Sequence, residues 1–422
     1  MKVFKFGGAS VKDAGAVRNV ASILSAFSSE EIVVVISAMG KTTNALEKIV
    51  ESYLNADGNV QTLLDQLRSF HLNIINDLNF PAQHPVRKEL EQSFVEIEWA
   101  TEEPPSKGFN WAYDQIVCHG ELMATKIISH YLNLKGMNNV WLDVRDVLKT
   151  DNTYREAVVD WELTKPLINK TVTGLFKKNK LIITQGFIGT TSENFSTTLG
   201  REGSDYTAAI FSHCLDASEM VVWKDVPGVL SADPKYYDDA IKLDQLSYLD
   251  AIELTYYGAT VIHPKTIKPL ENKQIPLRVA SFIAPENRGT LIGNYKETKP
   301  LVPCFIFKSN QILFSLSSKD FSFIAEKNLS NIFSIFAQHH VKINMMQNSA
   351  VSFSVCTDND AQKIPGLIEE LSTEFHLRYN ENLQLITVRH YYPSTIEQLT
   401  KGKTILMEQR SRHTAQVVIR ND

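Results

Sequence analysis

Over the first 300 or so residues, short apolar runs alternate with amphipathic stretches, the pattern left when parallel strands are joined by helical crossovers. That alternation implies an α/β domain with a central, mainly parallel sheet. The clearest strands lie at 3–6, 32–36, 140–144, 181–184 and 220–223, each followed within a few residues by Gly, Ser, Asp or Pro. Loops leaving such strands are where ligands usually bind. Between Asn44 and Gln115 the spacing becomes helical (Leu46, Ile49, Val50, Tyr53; then Leu63, Leu64, Leu67), broken by the stretch TEEPPSKG at 101–108. This reads as a helical insertion over 44–115, able to act as a lid.

A chain of 422 residues has room for two or three domains. Its 43 Lys and Arg against 48 Asp and Glu give a net charge of −5, so no general attraction to nucleic acid or an anionic membrane is expected. The four cysteines, Cys118, Cys214, Cys304 and Cys356, are widely spaced with no CxxC pair, which argues against a zinc site and suits a reducing compartment. No apolar run approaches the roughly 18 residues of a membrane span. The expectation is a soluble, cytoplasmic protein.

Polar residues and two prolines at 293–303 mark a boundary. Beyond it the order is strand (311–316), helix (328–338), strand (341–346), strand (351–357), helix (361–375), strand (383–388), a βαββαβ sequence. Val351, Phe353 and Val355 alternate with Ser352, Ser354 and Cys356, giving that strand one buried face. A short helix at 395–399 and strands at 404–408 and 415–419 follow, as if the order were starting again.

Chemistry gathers at the strand ends. Lys5-Phe6-Gly7-Gly8-Ala9-Ser10 is a strand, a glycine turn and a helix start, read as capped by Ser10 with Asp13 three residues on. Two glycines admit backbone amides close to an anion, a helix N-terminus adds partial positive charge and Lys5 adds a full one. The segment suits a phosphate, although Gly-Gly alone more often marks an ordinary βα turn with a surface lysine; it is not a Walker loop. Ser37 to Asn44 offers hydroxyls and amides at the same edge. His119-Gly120-Glu121 opens a helix, where Glu121 either serves the helix dipole or grips an ammonium group. The densest cluster is Gly200-Arg201-Glu202-Gly203-Ser204-Asp205, with an arginine fork suited to a carboxylate and an Asp205 able to pair with Lys5. Trp223-Lys224-Asp225-Val226-Pro227-Gly228 leaves another strand in a turn.

In order along residues 1–295, the segments KFGGAS, VISAMGKTTN, HGELMAT, WLDVRDV, GFIG, LGREGSDYTA, WKDVPGVLSADP and YGATVIHPKTI resemble the aspartokinases of the amino acid kinase superfamily. The resemblance implies a three-layer α/β sandwich over 1–295. It also implies a C-terminal pair of ferredoxin-like ACT-type domains, one at 303–380 and a second, abbreviated one at 381–422. The implied reaction is phosphorylation of the β-carboxylate of L-aspartate by ATP with Mg²⁺, the first step toward lysine, threonine and methionine. By position, Lys5, Gly7, Gly8 and Ser10 match the phosphate loop, and Asp205 matches the carboxylate that orients Lys5. Ser37, Thr43, Glu121, Phe187, Arg201 and Ser204 match aspartate-binding residues. Lys224, Asp225, Leu230, Lys235, Thr260 and Lys265 fall along the ATP-binding segments. A homodimer formed through the tail, with lysine or threonine as effector, is also implied.

Four departures from the family pattern stand out. Ala9 replaces a usual Thr, Glu202 a common Gly, Thr260 a second phosphate-binding Lys for which Lys265 is a candidate substitute, and WKD replaces WTD. No general base is expected, because an aspartate side chain with a pKa of about 3.9 is already ionised at neutral pH. Two other readings remain at this point: an amino-acid sensor whose kinase domain has decayed, and a superfamily kinase acting on glutamate or a nucleotide.

Overall fold

The computed structural model describes residues 1–105, 107–259, 262–320 and 322–420. The chain divides into two units: Met1–Val229, Asp244–Ile252 and Ile262–Thr298 form the first, and Leu230–Leu243, Glu253–Val261 and Lys299–Asp422 the second. Two short segments upstream of Thr298, Leu230–Leu243 and Glu253–Val261, thus belong to the second unit.

In chain order the elements up to the junction are β1 (Lys2–Phe6), α1 (Ala14–Ser25), β2 (Ile32–Ile36), α2 (Thr42–Asn55), α3 (Val60–Asp77), α4 (Val86–Glu102), α5 (Phe109–Val117) and α6 (His119–Leu134). There follow β3 (Val140–Leu142), α7 (Trp161–Phe176), β4 (Leu181–Gln185), the hairpin β5 (Ile188–Thr190) and β6 (Ser196–Thr198), α8 (Gly203–Cys214), β7 (Glu219–Lys224), β8 (Gln245–Ser247), α9 (Tyr248–Tyr257), α10 (Pro264–Lys273), β9 (Leu277–Ser281) and β10 (Thr290–Gly293). Eight strands form one sheet in the order β3-β4-β2-β1-β7-β9-β10-β8. The six from β3 to β9 run parallel; β10 opposes β9, and β8 runs with β10.

Strand alternation decides what faces what. Phe4 and Phe6 of β1 and Val34 and Ile36 of β2 join a core built with Val17 and Val20 of α1 and residues of α2 to α6, including Leu46, Leu64, Phe94 and Ile127. The intervening Lys5 turns to the opposite face, where α8 packs on β1 and β2 with α7 and α10 beside it. Helices therefore cover both faces of the sheet. The helical stretch read as a lid contributes Leu46, Leu64 and Phe94 to this core, and swinging it as a unit would expose them.

The reading of the first helix start needs one correction. The chain makes a single 3₁₀ turn over Gly8–Val11, and α1 begins three residues later, capped by Asp13, whose Oδ1 accepts the Ala16 N–H at 2.8 Å. Ser10 is not the cap; its hydroxyl donates to the Trp223 carbonyl at 3.3 Å. Likewise β3 ends at Leu142, and Val144–Asp146 forms a 3₁₀ turn.

The second unit holds β11 (Cys304–Ser318), α11 (Glu326–Gln338), β12 (Ile343–Asn348), β13 (Ser352–Asp358), α12 (Ile364–Glu374), β14 (Phe375–Arg389), α13 (Pro393–Thr400), β15 (Thr404–Arg410) and β16 (Thr414–Arg420). The βαββαβ order is as expected, but all six strands share one antiparallel sheet, β12-β13-β11-β14-β16-β15. Ile312, Phe314 and Leu316 pack against Ile332, Ile335 and Phe336 of α11 and Leu367 and Leu371 of α12. Both β11 and β14 are far longer than read. Residues 304–308 pair with 385–389 and 313–318 with 375–380 in one register; between them the ladder is irregular on either side of Gln311, which pairs with Leu383 and follows Asn310 in left-handed backbone (φ 52°). The segment expected as a separate second module at 381–422 therefore shares β14 with the first and takes its partner strand from Cys304–Lys308.

All four cysteines are buried free thiols. No helix among the described residues is long and apolar enough to cross a membrane.

Candidate active site

Parallel register brings distant loops to one edge. Phe6 pairs with both Ile36 and Trp223, and Ile36 pairs with Gln185, so the residues that follow (Gly7, Ser37, Lys224 and Gly186) leave the sheet side by side. Beside them lies a cavity of about 860 Å³ in the first unit, lined by Lys5, Ser37, Thr43, Glu121, Phe187, Arg201, Ser204, Asp205 and Lys224 among others.

The Lys5 Nζ stands 2.7 Å from Asp205 Oδ1, in the first turn of α8, with the two side chains only 11% and 3% exposed. Burial makes this pair stiff: Asp205 fixes where the ammonium charge sits while leaving its remaining protons for a ligand. A Cβ on Gly7 would lie 3.4 Å from the Lys5 Nζ, an ordinary van der Waals contact. One residue on, the backbone crowds. A Cβ on Gly8 would fall 2.8 Å from the Ala38 carbonyl oxygen and 3.0 Å from that of Gly40. Gly8 is thus required for the two loops to touch, and they are tied there by the Gly40 N–H donating to the Gly8 carbonyl at 3.1 Å.

At the start of α6, Glu121 is fully buried. Its Oε1 accepts the Ala38 N–H at 3.1 Å, whereas Oε2 has no hydrogen-bond partner among the described residues. Burial pushes its carboxyl up to about 8, with the Ala38 N–H and the Lys5 charge acting in the other direction. An orphaned, buried acceptor on a cavity wall is matched by a ligand cation rather than by a helix dipole alone.

The 200–205 turn ends in Glu202 with left-handed backbone (φ 55°), so Gly203, Ser204 and Asp205 begin α8 against the cavity. The Glu202 carboxylate is engaged by the backbone, its Oε2 accepting the His263 N–H at 2.9 Å. Phe187, also left-handed (φ 70°), has its N–H held by Thr207 Oγ1 at 3.0 Å.

Other expected residues lie elsewhere. Ser10 is buried beneath the turn, and Asp225 is exposed. Leu230 and Lys235 belong to the second unit, where Leu230 bridges Lys242 and the Lys235 N–H donates to Asp233 Oδ1. Lys265 does not line the main cavity; it lines a smaller one of about 360 Å³ with Trp161, Tyr206 and His213. Thr260 lies outside the described residues.

The motif reading missed one wall, made by Asn110 and Tyr113 of α5 and by Thr153 to Glu156. Buried Asp114 assembles it, accepting the Arg155 N–H and the Thr198 N–H at 2.9 Å on Oδ2 and the Thr198 hydroxyl at 2.7 Å on Oδ1. Burial raises the Asp114 carboxyl to about 6.

Among the described residues no group of three or more His, Cys, Asp or Glu is arranged to hold a metal ion.

Comparison with known proteins agrees with this arrangement. The model of the amino acid kinase family matches residues 1–281. The lysine-sensitive aspartokinase 3 of Escherichia coli is 32% identical over 397 residues, covering 92% of this chain and 86% of its own. Aspartokinase 2 of Arabidopsis thaliana chloroplasts is 31% identical, covering 84% and 66% respectively. Among solved structures, E. coli aspartokinase III in complex with aspartate and ADP superposes with a TM-score of 0.84 at 29% identity, covering 100% of this chain and 96% of that one. Its complex with lysine and aspartate gives a TM-score of 0.85 at the same identity and coverage. With the family model spanning most of the first unit and these relatives matching through the second, the chain belongs to the amino acid kinase family and, within it, to the aspartokinases.

Proposed function

We propose that the protein transfers the γ-phosphoryl group of ATP to the β-carboxylate of L-aspartate, giving β-aspartyl phosphate, the entry step toward lysine, threonine and methionine. One observation carries the reading: a single cavity holds an ion-paired lysine above a glycine turn, an arginine, and a buried glutamate whose free oxygen awaits a cation. Lysine and amides suit phosphates; arginine and glutamate suit the two ends of an amino acid.

In this reading Lys5, the Gly7 and Gly8 amides and the N-terminus of α8 neutralise the transferring phosphoryl group, with Asp205 holding Lys5 in position. Glu121 takes the substrate ammonium group and Arg201 a carboxylate, while Ser37, Thr43, Phe187 and Ser204 complete the acceptor site. Lys224 serves the nucleotide, joined by Asp225 and Lys265 as the family pattern suggests. Bound together with ATP, Mg²⁺ would supply further charge neutralisation. The nucleophile is ionised on arrival, so rate comes from orientation and fixed positive charge rather than proton transfer.

Residues 1–295 would carry the chemistry and the tail regulation, with lysine or threonine as effector and two tails pairing in a homodimer. The lysine-sensitive E. coli relative supports this assignment of roles. An ADP-release assay with L-aspartate, L-glutamate and UMP as acceptors tests the activity: turnover with aspartate alone is expected, and aspartate-independent or nucleotide-dependent turnover would overturn it. Light scattering should give twice 47.6 kDa; a monomer would contradict the paired tails.

A further inference from the structure

The wall that the motifs did not reveal holds a second guanidinium. Arg155 lines the same cavity as Arg201, and among the described residues no carboxylate forms an ion pair with it. Its head lies over two aromatic rings instead, with Cζ 4.6 Å from the Tyr113 centroid and 5.1 Å from that of Phe109. A guanidinium held by its flat face keeps the N–H donors along its edge available, the geometry that grips a carboxylate in two parallel bonds.

The backbone beneath it is costly to maintain. Arg155 has φ 71°, a left-handed conformation uncommon for a residue that is not Gly, Asn or Asp. It is held there by its N–H, bonded to Asp114. The same turn packs tightly on the acceptor loop: a Cβ on Gly200 would lie 3.2 Å from the Arg155 carbonyl oxygen, placing Arg155 one backbone contact away from the residue preceding Arg201. Strain, anchoring and an aromatic cradle all serve to present one cation at one rim of the cavity.

We infer that Arg155 is a specificity-determining residue that joins Arg201 in gripping the α-carboxylate of the acceptor, so that this site selects an acid bearing two carboxylates. The inference rests on the aspartate reading above. The β-carboxylate must remain free to attack, which leaves the α-carboxylate for the second fork.

The test compares the parent with Arg155→Gln, Arg155→Lys and Arg155→Gly, using L-aspartate and L-aspartic acid α-amide as alternative substrate or competitive inhibitor. Loss of the fork should raise KM for aspartate about 10- to 100-fold, with KM for ATP unchanged. Affinity for the α-amide, which lacks that charge, should change less than about twofold. Lysine should restore part of the loss. Glycine relaxes the left-handed turn, so its variant should show a melting temperature no lower than the parent while losing aspartate affinity as glutamine does; a purely structural Arg155 would not separate the two. An aspartate KM within twofold of the parent, or an equal loss for aspartate and α-amide, overturns the inference while leaving the aspartate reading intact. A parent with no aspartate turnover removes both.

Discussion

Replacing Glu121 by Gln tests the buried carboxylate quantitatively. Its carboxyl is held at about 8 against an ordinary 4.5, chiefly by burial. In the window between those values the folded protein keeps a proton that the unfolded chain has lost. The acid therefore supports folding fully below about 4.5, and that support is lost as pH rises toward about 8. Each pH unit in the window is worth about 1.4 kcal/mol, so from pH 5 to 7.5 the parent should lose roughly 3 kcal/mol relative to Glu121→Gln, whose amide does not titrate. The difference should appear as several degrees in the melting temperature, the parent falling away from the variant as pH rises. Saturating L-aspartate at pH 7.5 should then stabilise the parent strongly, because an ammonium group pays the cost of the ionised carboxylate, and the variant weakly. Parallel melting curves across this range, or equal stabilisation by aspartate, would refute both the buried charge and its partner.

Three further outcomes follow from the geometry. Lys5→Met should abolish turnover and cost about 3 kcal/mol by leaving Asp205 buried without its counter-ion; adding Asp205→Asn should recover denaturant stability but no activity, and recovered turnover would show that Lys5 is dispensable. Gly8→Ala would drive a methyl group against the Ala38 and Gly40 carbonyls, 2.8 and 3.0 Å away, so kcat should fall at least tenfold with global unfolding nearly unchanged; unaltered kinetics would mean that the loop contact is not needed. Asp114→Ala removes the acceptor of two N–H groups and a hydroxyl, and chemical denaturation should show a loss of about 3 kcal/mol together with a raised KM for aspartate; a change in stability alone would detach this wall from binding.

Much of this arrangement was legible because it is local. Lys5, Gly7 and Gly8 lie within four residues, and strand alternation alone predicts that Lys5 points away from Phe4 and Phe6. Glu121 and the 200–205 cluster announce themselves at helix starts. Arg155 and Tyr113 do not: they meet only because Asp114 bonds to residues 41 and 84 positions away, contacts that leave no periodic trace. Composition alone places the cap at Ser10 and not at Asp13, because it cannot tell an intervening 3₁₀ turn from a helix start. In the tail, the sequence pattern marks a strand only over 311–316, whereas β11 starts at Cys304 and runs through an irregularity beside Asn310. The partner strand supplies the hydrogen bonds on either side of it, which a chain read alone cannot reveal.

The central claim, that phosphoryl transfer reaches the β-carboxylate of aspartate, can be read from the product. Hydroxylamine converts an acyl phosphate to a hydroxamate, so incubation with ATP, Mg²⁺, L-aspartate and hydroxylamine followed by mass spectrometry identifies the carboxyl that was activated. The account predicts the β-hydroxamate, formed in proportion to ADP and absent with Lys5→Met. ADP released without hydroxamate, or hydroxamate at the α-carboxyl, would contradict it.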